Sequence, residues 1–399
     1  MDRMRRELTL ERIKNTIKEA ICNMDPVLFI CATLLSLISI VTVFGAVDNF
    51  GMSKLKMQVA IFVVGLFVTV LIAFFDFRAL VDKLWLWMLI GSVLLLVATL
   101  LFGESGQNME TANKSWLKIP GTGFMIQPSE FVKFTFICTF SKHLFTVQDH
   151  INRPLTVLLL AAHAIVVVGP ILVSGDLGVA LIYMAILAIM LFCAGLHWGY
   201  FLGAAALVIL IFPILWDHLA DYQRERIIVG FNPELDPLDK GMQPLLSRSA
   251  IMAGEFFGCG VLGGEYYEIL PASHTDFIFA TICEKFGFFG GALVLLIFAV
   301  MVARIFLIAK HASRSDYGGF ICAGIGGMLV VQILLNVGMC FAMLPVIGIT
   351  LPLLSCGGSS MLATFMMLGL LHNVCAHSNG VRVAKEAAAR AVDISIFHT

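Results

Sequence analysis

The chain has 399 residues, 59% of them hydrophobic and 13% charged, where soluble domains run at roughly 45–50% apolar and about 25% charged. With 26 Lys or Arg and 27 Asp or Glu, a net charge of -1 and a mean hydropathy of +0.93, there is too little polar surface to coat a soluble globule and no basic excess to bind nucleic acid. The composition implies an all-α integral membrane protein.

Residues 1–25 read as a cytoplasmic amphipathic segment, with Leu10, Ile13, Ile17 and Ile21 at helical spacing among basic residues. The first apolar run is too long for a cleavable signal peptide and has no cleavage pattern. A span needs about 20 apolar residues. Candidate stretches fall at 26–46, 57–75, 84–102, 128–145, 154–173, 177–196, 199–216, 277–309, 318–343 and 353–374, so about ten transmembrane helices are expected. The fourth carries Glu130, Lys133 and Lys142, charges that must face the bundle interior or a wet cavity. If it lay at an interface instead, there would be nine spans.

Basic residues mark alternate connections: Arg78 and Lys83, Lys142 and Arg153, Arg304, Lys310 and Arg314, then Arg382, Lys385 and Arg390 in the tail 376–399. The positive-inside bias places these and both termini in the cytoplasm. The other side receives one long extracytoplasmic loop, 217–276, with ten acidic and four basic residues. Connections this long are commonly functional. The ten cysteines are scattered, with no zinc-ligand spacing, and no phosphate-binding loop or dinucleotide motif occurs.

A series of polar, aromatic and small residues follows in a specific order along the chain. Trp116 precedes Gln127-Pro128-Ser129-Glu130 and Lys133; then come Asp176-Leu177-Gly178, Met190-Leu191-Phe192 and Ala194-Gly195-Leu196. The long loop holds Tyr222-Gln223, Arg226-Ile227, Phe231, Pro233, Asp236-Pro237, Gly241, Gln243 and Leu270-Pro271, and closes on His274-Thr275-Asp276-Phe277-Ile278-Phe279-Ala280, followed by Glu284 and Gly287. The last third carries Gln332, Asn336, Gly338-Met339, Leu344-Pro345, Gly348, Pro352, Ser355 and Gly357-Gly358-Ser359-Ser360. Over roughly 26–375 this pattern resembles the SEDS family (shape, elongation, division and sporulation; the RodA, FtsW and SpoVE group).

The resemblance implies a peptidoglycan glycosyltransferase that polymerises lipid II at the outer face of the bacterial cytoplasmic membrane, in elongation, division or sporulation. It also implies a class B penicillin-binding protein as partner, beside membrane lipid, and places the catalytic aspartate at Asp276. The chemistry asks for a carboxylate base near the acceptor hydroxyl and positive charge against the leaving diphosphate. Arg224, Arg226 and Arg248 are candidates for the diphosphate, since guanidinium forks fit phosphate oxygens. Trp116 is a candidate for stacking on a sugar or for anchoring at the interface. Glu130 and Lys133 could touch substrate or form a buried ion pair, the structural role being favoured. His274 reads as an orienting residue. Asp176 could ligate a divalent cation (Mg or Mn) but reads mainly as a helix cap, and a cap is also the plain alternative for Asp276.

The pattern is broken in places: Ser115 stands where a base is usual, Ser174-Gly175-Asp176 replaces Gln-Pro-Asp, and Ala272 replaces an acid. Glu284-Lys285 replaces paired glutamates, and Gly254-Glu255 with Gly258-Cys259-Gly260 replaces a glycine-rich segment. Two other functions stay open on the sequence: a non-catalytic scaffold for a penicillin-binding protein, and a lipid II flippase.

Overall fold

The computed structural model describes residues 24–396, apart from 76, 106–113, 120, 122–124, 219–220 and 313–315. The expected N-terminal amphipathic helix lies outside the described residues. The described chain is a helical membrane bundle. Its elements are α1 (Pro26–Phe44), α2 (Val47–Phe50), α3 (Met52–Phe74), α4 (Phe77–Phe102), α5 (Pro128–Val147), α6 (Pro154–Val173), α7 (Leu177–Cys193) and α8 (Trp198–His218). There follow α9 (Asp221–Phe231), α10 (Met242–Ala253), α11 (Tyr266–Ile269), α12 (Ile278–His311), α13 (Gly318–Cys340) and α14 (Gly358–Ile396).

Seven of these helices are long and apolar enough to cross a membrane, and α7 and α8 are shorter apolar helices. The fourth expected span is α5, whose charges are turned inward: Lys133 and Glu130 are 0% and 4% exposed. Apolar residues of α8, such as Leu202, Ile209 and Leu210, are largely exposed, as a lipid-facing surface requires. Several boundaries move. The second and third spans start earlier, at Met52 and Phe77, and the last starts later, at Gly358, because Leu353 holds a left-handed backbone (φ 64°) that no helix continues through. α14 continues through the expected tail as far as Ile396.

Two connections hold more structure than their sequence suggests. Between α4 and α5 lie β1 (Glu104–Ser105), β2 (Lys114–Lys118) and β3 (Met125–Ile126), antiparallel in that order. The long loop 217–276 folds into α9, α10 and α11. α10 packs its inner face onto α12, and Ser247 donates to the Cys340 carbonyl at 2.9 Å.

Hydrogen bonds sort the connections into two ends. At one end Arg78 pairs with Asp316, Lys142 pairs with Asp82, and Asn152 donates to the Gly195 carbonyl. Nearby, Asp25 caps α1 and is gripped by Arg304 at 2.6 Å. At the other end meet the connections after α1, α4, α6, α8 and α13, described below.

The pivot of that second end is a break in α12. Gly287 adopts φ 66°, ψ -165°, and a Cβ there would lie 2.5 Å from backbone atoms of Phe256 and Gly258. The backbone groups freed by the break are taken up by the loop: Cys259 N donates to Glu284 O (2.9 Å), Gly260 N to Lys285 O (3.0 Å), and Phe288 N to Glu255 O (2.8 Å). Irregular backbone at membrane depth survives only when protein satisfies it in this way. The flanking charges finish the work. Glu284 accepts from the backbone N–H of Glu265, Tyr266 and Tyr267 at 2.7–2.9 Å. Lys285, fully buried, donates to the carbonyls of Gly45, Val261 and Gly263 at 3.0 Å each, with its ammonium 3.8 Å from the Tyr267 ring centroid.

Replacing Lys285 by Met leaves three carbonyls without their donor, at a cost of at least about 3 kcal/mol. Thermal unfolding of the purified variant in detergent should show a clear drop, and an unchanged midpoint would remove this node from the account.

Candidate active site

Asp276 ends the polar loop two residues before α12 begins. Here the carbonyls of residues 272–276 are all used. Ala272 O accepts from Thr275 N (3.0 Å) and Phe277 N (3.2 Å), closing a tight turn in which Ala272 is left-handed (φ 54°). Ser273 O accepts from Thr281 Oγ1 at 2.9 Å, and His274 O from Cys356 N at 2.8 Å. Thr275 O accepts from Ser355 Oγ at 2.7 Å, and Asp276 O from Asn336 Nδ2 at 2.7 Å. Asn336 is fully buried and also donates to Ile349 O at 2.7 Å, so one amide ties the aspartate to the connection after α13.

The side chain of Asp276 is thus held without being spent. It is half-buried, and Gly348 (φ 67°) lies beside it, where a Cβ would come within 3.7 Å of Oδ2. Burial pushes its pKa up to about 6, with a smaller push from Asp176 and a downward pull from the Thr275 hydroxyl. His274 is pushed down to about 4, first by burial and then by the Lys54 charge. Its neutral ring contacts the Lys54 ammonium through Nε2 and packs 5.0 Å from the Phe50 ring.

Asp176 caps α7, accepting from Val179 N at 3.1 Å, and also accepts from Gln127 Nε2 at 3.2 Å. Burial raises its pKa. Gln127 N in turn donates to Ser359 Oγ at 3.1 Å, and Thr350 Oγ1 meets Ser360 Oγ at 2.8 Å. The serines of Gly357-Gly358-Ser359-Ser360 therefore act by hydrogen bonding, beyond the close packing that small residues allow. Among the described residues no group of three or more His, Cys, Asp or Glu side chains could hold a metal ion. The donors around Asp176 do not form a Mg or Mn site, and no step below runs through one.

The remaining sequence candidates fall in several places. Glu130 and Lys133 form the buried pair, 2.8 Å apart, one turn into α5. Trp116 is half-buried on β2 opposite Glu104. Arg224 donates to the carbonyls of Trp216 (2.9 Å) and Asp217 (2.8 Å) at the end of α8. Arg248, on α10, pairs with Glu234 at 3.1 Å. Arg226 lies on α9. The structure thus brings Asp276, His274 and Asp176 to one end with Glu130 and Lys133, while Arg224 and Arg248 have partners of their own. Sequence reasoning passed over Lys54 altogether and gave Asn336 and Ser355 no role. The available signal for Lys54 was a cation in the first turn of an apolar helix, where the dipole disfavours it.

The chain's likeness to known proteins agrees with this geometry. The FtsW/RodA/SpoVE family model, described as a cell cycle protein, matches residues 23–380. The chain belongs to this family. Among curated members, Stage V sporulation protein E of Bacillus subtilis is 34% identical over 282 residues, covering 68% of this chain and 73% of that protein. The peptidoglycan glycosyltransferase MrdB of Escherichia coli K12 is 30% identical over 364 residues, 89% of this chain and 94% of that one. A chain from a peptidoglycan synthase complex, whose polymerization and crosslinking are structurally coordinated, superposes with a TM-score of 0.76 at 28% identity, covering 89% of this chain and 98% of its own. The rod shape determining protein RodA of Thermus thermophilus gives 0.65 at 25% identity, with 88% and 96% covered. The multi-pass FtsW/RodA/SpoVE architecture accounts for both ends of the bundle.

The buried Glu130–Lys133 pair makes a measurable demand. Lys133→Met alone strands a carboxylate in the bundle and should cost about 3–5 kcal/mol, whereas the double change Glu130→Gln with Lys133→Met should regain most of it. Denaturation of the single and double variants compares them directly; equal loss in both would mean the pair is not what holds these side chains.

Proposed function

We propose that this protein is a peptidoglycan glycosyltransferase that polymerises lipid II at the outer face of the cytoplasmic membrane, with Asp276 as its base. The observation that carries the proposal is a carboxylate whose backbone is locked by bonds from three other segments while its side chain stays partly open at the start of an apolar helix. A lipid-held sugar diphosphate would reach it from the membrane.

The step needs few groups. The acceptor hydroxyl oxygen forms a bond to the donor's anomeric carbon, and the bond from that carbon to the diphosphate oxygen breaks with its electron pair. The hydroxyl proton passes to Asp276 and then to water. Diphosphate leaves as an anion, so the paired carboxylates of glycosidases are not required. A pKa near 6 makes Asp276 a stronger base than a solvated carboxylate, yet leaves it mostly ionised at neutral pH. The family's solved complex supports a cross-linking partner, which we assign as a class B penicillin-binding protein; the exposed apolar helices and outer connections are its docking faces, shared with membrane lipid. The serviced process is elongation, division or sporulation.

Sidedness follows from charge. The end carrying Arg78, Lys142 and Arg304 is basic, and cytoplasmic ends carry the Lys and Arg excess. The termini are then cytoplasmic and the loop with Asp276 faces outward. A cysteine placed at Lys240 should react with a membrane-impermeant thiol reagent added outside intact cells. Labelling from the cytoplasmic side alone would invert the arrangement.

Asp276→Asn keeps size and capping ability but takes no proton. Polymerisation of lipid II by the purified variant should fall about 10²-fold or more, while Asp176→Asn, chiefly a cap, retains more activity. The folded pKa of Asp276 lies above the usual carboxylate value of 3.8, so the folded state holds this proton more tightly and loses stability as pH rises through about 6. The Asn variant, spared that loss, should melt at or above the wild-type temperature at neutral pH. Wild-type polymerisation should decline on acidification with a midpoint near pH 6. Normal turnover by a folded Asp276→Asn protein would refute the base assignment and favour a scaffold role.

A further inference from the structure

Departure of a diphosphate requires positive charge beside the breaking bond, and the cations at this end differ in how far they are committed. Lys133 is neutralised by Glu130 inside the bundle. Lys285 is turned onto three backbone carbonyls. Arg248 is paired with Glu234. Lys54 is different. Its ammonium contacts a neutral imidazole, Nε2 of His274, and among the described residues no carboxylate pairs with it.

The local construction is directed. Lys54 sits in the first turn of α3, where a cation opposes the helix dipole and no acidic residue compensates it. Its backbone carbonyl faces the Cys356 thiol at 3.9 Å, so α3 is held against the same segment whose Cys356 N anchors the His274 carbonyl. Phe50 packs on the other side of the imidazole. His274 is two residues from Asp276 in one tight turn, so the ring that meets the ammonium is carried by the element that carries Asp276. Lys54 is half-buried, which strengthens its field relative to a solvated lysine while leaving it open to a ligand.

We propose that Lys54 is the cation that receives the diphosphate of the lipid-linked donor, with His274 as the positioning residue that holds its ammonium toward the reacting centre. The inference rests on the glycosyltransferase reading and deepens it. As the anomeric carbon–oxygen bond breaks, its electron pair settles on the diphosphate, whose oxygens accept N–H bonds from Lys54. The hydroxyl proton goes to Asp276 on the other side of the sugar.

The test is binding and turnover of the purified full-length protein in detergent. The probes are a polyprenyl diphosphate and the matching monophosphate, titrated without acceptor. Wild type should prefer the diphosphate. Lys54→Met should weaken diphosphate binding by about 10- to 100-fold, the loss of one charge-assisted hydrogen bond, and lower kcat/KM for lipid II similarly; Lys54→Arg should restore both largely. A merely structural lysine would shift the melting temperature without changing the choice between the two phosphates. Undiminished diphosphate binding and kcat/KM in a folded Lys54→Met protein would overturn the proposal and leave the enzyme reading untouched. Should the Met variant not fold, equal binding of the two lipids by wild type overturns it as well. A Lys54-dependent preference in a wild-type protein that never polymerises would instead sink the enzyme reading alone.

Discussion

The broken helix at Gly287 is the constraint on which the outer end of this molecule depends. A helix entering a membrane can be interrupted only if each freed donor and acceptor finds a protein partner. Residues 255–260 supply those partners, and in doing so they are fixed onto α12. Glu284 and Lys285 extend the same fixation outward, one gathering N–H groups at residues 265–267 and the other gathering carbonyls at 45, 261 and 263. The chain between them has little freedom when it reaches Leu270, and that is where the turn to Asp276 begins.

From this anchored start the turn that carries Asp276 is held by its carbonyls rather than by its side chains. Five consecutive acceptors are used, by donors from the turn itself, from α12, from α13 and from the connection before α14. Fixing the backbone while leaving the carboxylate unclaimed is the way a site can be preorganised yet reactive. The cost appears as the raised pKa of Asp276. The same burial that disfavours its charge would favour its taking a proton in the proposed reaction.

The bundle was legible in the sequence because hydrophobic runs of membrane length have few alternative explanations, and the family was legible because the block of residues around Asp276 is specific. Helix ends were read less well: Leu353 looks like the start of an apolar run, but its left-handed backbone (φ 64°) keeps it out of the helix. The loop helices were missed because α9, α10 and α11 are short and lean on tertiary contacts, α10 and α11 on α12 and α9 on the turn at Pro233–Leu235. Lys54 was missed for a related reason. Nothing within its own window relates it to His274, 220 residues away, and only the convergence of separate connections brings a lysine on α3 against that ring.

That convergence also explains where the resemblance to the family breaks. Glu255, Gly258-Cys259-Gly260 and Glu284-Lys285 look scattered in sequence, yet they touch one another: Phe288 N bonds Glu255 O, Cys259 N bonds Glu284 O, and Gly260 N bonds Lys285 O. A lysine in place of a second glutamate would leave an uncompensated buried charge if it stood alone. Here its ammonium is met by three carbonyls and an aromatic face. Ala272 departs in the same harmless sense, because what the turn uses at that position is the carbonyl, which Thr275 N and Phe277 N still reach. The substitutions therefore form one mutually adjusted unit that supports the turn from behind. Asn336 and Ser355, which donate to the carbonyls of Asp276 and Thr275, lie outside it, so the support can be repacked while the backbone at Asp276 stays held.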